Sequence, residues 1–197
     1  MLDKALDTHD EAMHIKETFG KASTSGNIAF AVKARVEGLR DWGCTLSPFN
    51  AFLLLQGVET LSLRMDRILS NTQELAQWLN SHPKIESVNY PGLKDNPNHI
   101  NAKKYLKGGF GGVLSFCLKG DRGQTAKFVD SLSLITHLVN VGDNKTLISH
   151  SASTTHAQLN AQALEAAGLK VNMLRVSVGI EHIDDIKADI EESLKKI

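Results

Sequence analysis

Two places in the sequence carry residues whose types and spacing could do chemistry. The first is NVGDNKTLISHSASTTH, residues 140–156, lying between the apolar LITHLV and the helix-like LNAQALEAAG. It crowds Asn140, Asp143, Asn144, Lys145, Thr146, His150, Ser151, Ser153, Thr154, Thr155 and His156 into one connection. So dense a set of hydrogen-bonding groups reads either as a solvated surface loop or as the polar wall of a binding site. The second is Arg175, set inside the otherwise apolar run MLRVSVGI. A half-buried guanidinium must find an acceptor. It either pairs within the chain, with Glu181 or Asp184, or offers its fork of donors to a ligand carboxylate through two parallel hydrogen bonds.

Other chemistries fit less well. His150 and His156, with Asp143, have no metal-ligand spacing and no cysteine joins them, so no metal site is expected. A serine hydrolase needs its nucleophile in a strained elbow of the G-x-S-x-G kind, and the sequence has none. The run GGFGG at 108–112 lacks the Gly-Lys-Ser/Thr of a phosphate loop and precedes a strand instead of opening a helix, so it reads as a turn.

The elements that must position these residues are legible from periodicity. Lys plus Arg and Asp plus Glu each total 22 in 197 residues, and no basic stripe points to nucleic acid. Cys44 and Cys117 stand far apart without metal spacing, which predicts free, buried thiols in a reducing compartment. The N-terminus has no secretory pattern and no run reaches membrane-spanning length, so a cytoplasmic protein is expected. Residues 1–26 read as a polar segment or linker, and 27–197 as one domain. IAFAVKARVEGLRDWG is helical and stops at Gly43. Ser47-Pro48 opens a long helix to about Ser81, bent near Gly57 and buried on several sides near its start. Strands are predicted in KIESVNYPG, VLSFCLKG, LITHLVN and MLRVSVGI. Helices are predicted in HINAKKYLKGG, GQTAKFVDSLS, LNAQALEAAGL and the closing EHIDDIKADIEESLKKI. The sum is an α+β fold, a mainly antiparallel sheet of about four strands covered by helices.

Five segments also resemble a known family: LRDWGCTLSPFNAFLLLQGVETLSLRMDR, VNYPGL, KGGFGGVLSFCLKG, NVGDNKTLISHSASTTH and LRVSVGIEHIDDIKADI. In this order they are similar to the small C-terminal domain of O-acetylhomoserine sulfhydrylases. Those are fold-type I, pyridoxal phosphate (PLP)-dependent transferases of the cystathionine γ-synthase family. The NVGD and ASTTH forms favour the sulfhydrylase branch.

The resemblance implies that the chain is a substrate-binding domain. Arg175 would hold the substrate α-carboxylate, Asn140 would help orient it, and Thr155 would line the same pocket with Val141, Gly142 and Ser153. The implied reaction replaces the acetate of O-acetylhomoserine by sulfide, giving homocysteine, with PLP as cofactor. The lysine that binds PLP covalently lies, in that family, in a preceding large domain. No Ser-x-x-Thr-Lys-like stretch supplies it here, so no catalytic residue is assigned and little activity is expected of the chain alone. The expected partners are a small amino-acid substrate, a separate chain with the PLP lysine, and further copies in a homo-oligomer. A free-standing assembly or amino-acid-binding module is the alternative. Ser151 stands where the family usually has proline, and residues 1–18 match nothing in it.

Overall fold

The computed structural model describes residues 29–197. The polar segment expected at 1–26 therefore lies outside the described residues. The chain divides into two compact units, with the boundary in the sequence between Gly57 and Val58.

In the first unit, helix α1 (Ala29–Lys33) continues through a π-helical turn (Ala34–Leu39) into α2 (Arg40–Trp42). It ends, as predicted, at Gly43, whose φ of 67° is the left-handed conformation that glycine adopts without strain. Cys44 follows and is exposed, against the expected burial, while Cys117 is buried; both are free. Ser47 Oγ accepts from the Asn50 N–H at 3.1 Å and so caps helix α3 (Pro48–Glu59). No residue of α3 is buried, contrary to the expectation for the start of this helix. Phe49, Phe52, Leu53, Leu54 and Leu55 are each more than half exposed.

The long helix predicted to about Ser81 is interrupted at Thr60 and not at Gly57: α4 runs Leu61–Ser81. Its buried residues Ile68, Asn71, Thr72, Leu75, Ala76 and Leu79 fall at three- and four-residue spacing, one stripe of a helix. The remaining elements are β1 (Ile85–Asn89), α5 (His99–Tyr105), β2 (Val113–Leu118), α6 (Arg122–Asp130), β3 (Thr136–His137), β4 (Leu147–Ser149), α7 (Ala161–Ala166), β5 (Met173–Ser177) and α8 (Ile183–Leu194). Helix α8 repeats the stripe of α4 with Ile183, Ile186, Asp189, Ile190 and Leu194.

The sheet order is β1-β2-β5-β4-β3. The expected four antiparallel strands are corrected to five in a mixed sheet, because β3 and β4 pair in parallel. Strand β4 lies inside the polar stretch 140–156, where three residues between hydroxyls and histidines give no period-two signal. Only Thr136–His137 of LITHLVN is strand, extended by the Leu138 N–H to the Ile148 carbonyl. Gly108 (φ 87°) and Gly111 (φ 95°) make the turn that enters β2, as GGFGG predicts.

Helices α4, α6 and α8 contribute to one hydrophobic core with Leu114, Phe116 and Leu118 of β2, Ile148 of β4, and Leu174 and Val176 of β5. Tyr90, which follows β1, is fully buried in that core and donates its hydroxyl to the Gly111 carbonyl at 3.0 Å. Burial pushes its phenol up to about 12, against about 10 in an unfolded chain. The unfolded state therefore loses this proton first, so the stability present below about pH 10 is lost as pH rises toward 12. Tyr90→Phe is expected to cost about 1 kcal/mol near neutrality and to remove this alkaline loss, read from urea melts at about pH 8 and about pH 11.

Candidate functional site

Successive residues of a strand face opposite sides of the sheet, so the core residues Leu174 and Val176 place Arg175 on the other face. The register then fixes its neighbours. Arg175 stands opposite Ser115 of β2 and opposite Ser149 of β4. Side chains paired in this way have Cβ atoms roughly 5 Å apart, so a half-buried guanidinium is flanked on both sides by a small hydroxyl.

Glu181 and Asp184, the nearest acids in sequence after Arg175, interact with other residues. Glu181 accepts from the Thr146 N–H at 2.6 Å and from Thr146 Oγ1 at 2.8 Å. Asp184 is exposed and lies 3.7 Å from His182. Among the described residues no carboxylate pairs with Arg175. A fork of five donors between two serines, with no carboxylate partner among the described residues, can take a ligand carboxylate in the bidentate mode.

The stretch 140–156 spends much of its polarity on itself. Asn140 Oδ1 accepts from the Val141 N–H, and Asn140, Val141 and Gly142 are exposed in the turn after β3, with Gly142 at φ 80°. Ser153 Oγ is bonded to His150 Nδ1 at 2.8 Å in the 3-10 turn Ser151–Ser153. Thr155 is exposed and bonded to His156 Nδ1. The structure thus puts Asn140–Gly142 and Ser153–Thr155 on two turns adjoining β3 and β4. Among the described residues no hydrogen bond joins either turn to Arg175. Ser115 and Ser149 are the neighbours that sequence reading passed over. Alternation in VLSFCL and in MLRVS places Ser115 and Arg175 off the core, but only the register brings them side by side.

His150 is buried, with Nε2 2.8 Å from the Val171 carbonyl. In the neutral ring Nε2 donates to that carbonyl, which leaves Nδ1 to accept from the Ser153 hydroxyl. Burial pushes the pKa of His150 below the ordinary histidine value. The stability this provides is present above the unfolded value of about 6.5 and is lost as pH falls through the depressed folded one. Protection factors of the amides at residues 150–156, taken against the intrinsic exchange rate at each pH, are expected to fall on acidification, and His150→Leu should remove that pH dependence.

A strand-borne arginine flanked in register by two serines is an arrangement suited to a ligand carboxylate. The chain belongs to the Cys/Met metabolism PLP-dependent enzymes, whose family model matches residues 7–195. Most of residues 1–18, left unmatched by sequence reading, thus fall within the family as well. Among individual relatives, O-acetyl-L-homoserine sulfhydrylase 1 of Thermus thermophilus is 52% identical over 169 residues, covering 86% of this chain and 40% of that protein. The homocysteine synthase of Schizosaccharomyces pombe is 51% identical over 172 residues, covering 87% and 40%. A solved Campylobacter jejuni structure, assigned as an O-acetylhomoserine (thiol)-lyase and carrying a pyridoxyl-lysine phosphate, superposes with TM-score 0.75. It is 42% identical and covers 84% of this chain and 39% of that one. The chain spans about two-fifths of the length of these curated relatives.

PLP is the cofactor of the complete enzymes of this family, where it supplies an electron sink for carbanion chemistry. The described face does not fit its covalent attachment. No lysine stands on β2, β4 or β5, and Lys145 is exposed in the turn before β4. The residues around Arg175 fit a ligand carboxylate, not the covalent attachment of the cofactor. Among the described residues no helix is long and apolar enough to cross a membrane.

Proposed function

We propose that residues 27–197 form the substrate-binding part of an O-acetylhomoserine sulfhydrylase, which replaces acetate by sulfide to give homocysteine. The observation that carries this is Arg175: half-buried, flanked by Ser115 and Ser149, and paired with no carboxylate among the described residues. Arg175 grips the substrate α-carboxylate through two N–H···O bonds. Asn140 and Thr155, with Val141, Gly142 and Ser153, wall the pocket from the two turns. Fixing the carboxylate fixes the bond that is to break, and positioning of this kind contributes several kcal/mol to a barrier. The lysine that binds PLP comes from the portion of the enzyme that this chain does not match. The test is to exchange these residues for the matching region of the Thermus thermophilus relative. Sulfide-dependent homocysteine formation is expected in the exchanged enzyme, and its loss without loss of folding would overturn the reading.

The apolar helix α3 belongs to the same proposal. A helix apolar on all sides is stable only when covered. Its exposed Phe49, Phe52 and Leu55 are a surface for the PLP-bearing part of the enzyme or for another copy. The isolated chain is therefore expected to self-associate, with Phe52→Glu plus Leu55→Glu lowering the association; sedimentation velocity over a range of concentrations checks this. Two free thiols fit a cytoplasmic setting.

A further inference from the structure

Strand β4 is three residues long, and its register with β5 decides whether Ser149 stands beside Arg175. A slip of one residue would turn Ser149 to the opposite face. So short a strand has few ladder bonds of its own to hold that register.

We propose that Glu181 is a positioning residue for the amino-acid site, clamping Thr146 so that β4 keeps its register against the strand that carries Arg175. The inference rests on the substrate-binding reading above.

The clamp is fully specified. Glu181 takes both the N–H and the hydroxyl of Thr146, the residue immediately before β4. Because that hydroxyl donates to Glu181, its oxygen is free to accept, and it takes the Gly179 N–H at 2.9 Å. The Asn144 carbonyl accepts from the Ile180 N–H at 2.9 Å. From helix α4, Asn71 Nδ2 donates to the carbonyls of Gly179 and Glu181 at 3.1 and 2.9 Å. A Cβ on Gly179 would collide with the Asn144 carbonyl and with the Glu181 carboxylate, so only glycine lets the two segments approach this closely.

Four hydrogen bonds thus tie the start of β4 to the exit of β5, and two more hold that exit to helix α4. The same bonds occupy the carboxylate that stands only six positions beyond Arg175. Glu181 therefore places Ser149 and leaves the guanidinium free for a ligand.

The test uses the full chain, amide hydrogen exchange, and titration followed by NMR. O-acetyl-L-homoserine is the probe, and its C-terminal amide is the control that lacks the carboxylate. In Glu181→Gln, exchange at residues 144–149 should rise about tenfold or more while Leu174 and Val176 stay protected, and affinity for the probe should fall about tenfold. Affinity for the amide should not change. Thr146→Ser, in the presence of Glu181, keeps the N–H and the hydroxyl and should leave both readouts at the wild-type level. Should Glu181→Gln fail to fold, Thr146→Val, which deletes one hydroxyl, carries the same comparison.

Faster exchange with unchanged affinity would make Glu181 a merely structural residue and overturn the proposal, as would unchanged exchange. If the wild-type chain and Arg175→Ala bind the probe equally, the substrate-binding reading fails instead, and the clamp has no site to position.

Discussion

Replacing Arg175 by alanine in the exchanged enzyme is expected to raise KM for O-acetyl-L-homoserine about 100-fold, the loss of two charge-assisted hydrogen bonds worth roughly 3 kcal/mol together. Arg175→Lys keeps the charge but not the planar fork, and about tenfold of the loss should remain. The protein should stay folded in both cases. Arg175 faces away from the hydrophobic cluster, and among the described residues it has no ion pair to break. Steady-state kinetics together with a thermal melt separates the two effects. A KM unchanged in Arg175→Ala would remove the residue from the site.

The second large effect falls on folding. Asp189, buried on α8, accepts at 2.8 Å from both the N–H and the hydroxyl of Ser133, and from the N–H groups of Leu134 and Ile135 at 3.0 and 2.9 Å. Burial alone would raise its pKa, but those four hydrogen bonds outweigh it and hold the carboxyl below the ordinary aspartate value. Asp189→Ala strands three backbone donors and is expected to cost about 4 kcal/mol. Asp189→Asn keeps part of the acceptor capacity and should cost about half as much. The sign with pH follows from the lowered value. The wild type has this stability above the unfolded pKa of about 3.9 and loses it as pH falls through the folded one. The asparagine variant should lack that acid dependence. Urea melts at about pH 7 and about pH 3.5 give both comparisons.

Periodicity made the helices and the longer strands readable. The stripes on α4 and α8, the glycine stop at 43 and the alternation in VLSFCL and MLRVS each follow from a repeat of 3.6 or 2.0 residues. What stayed hidden depended on pairing partners far away in sequence. Strand β4 has three residues and exists because β5 and β3 offer it ladder bonds, not because LIS favours strand. The break at Thr60 has no proline, and Gly57 was the more visible weak point. Arg175 stood out because a charge in an apolar strand needs an explanation. Its serine neighbours did not, since serines are common and only the register selects these two. The resemblance in NVGDNKTLISHSASTTH implies a pocket wall, which remains part of the proposal, but the bonds that hold this stretch in place could not be seen in it. Thr146 and Glu181 are 35 positions apart, and nothing local to either residue announces the other.

Strand β5 divides its residues between two tasks. Leu174 and Val176 are committed to the helix-covered side, while Arg175, with Ser115 and Ser149 beside it, belongs to the opposite side. Ser115 and Arg175 are only partly buried, so under the proposed reading a change of side chain at either alters what is recognised while the packed interior keeps its shape. Such a layout makes substrate choice evolvable: new specificities can be tried on one surface of a strand without endangering the foldedness that the other surface secures.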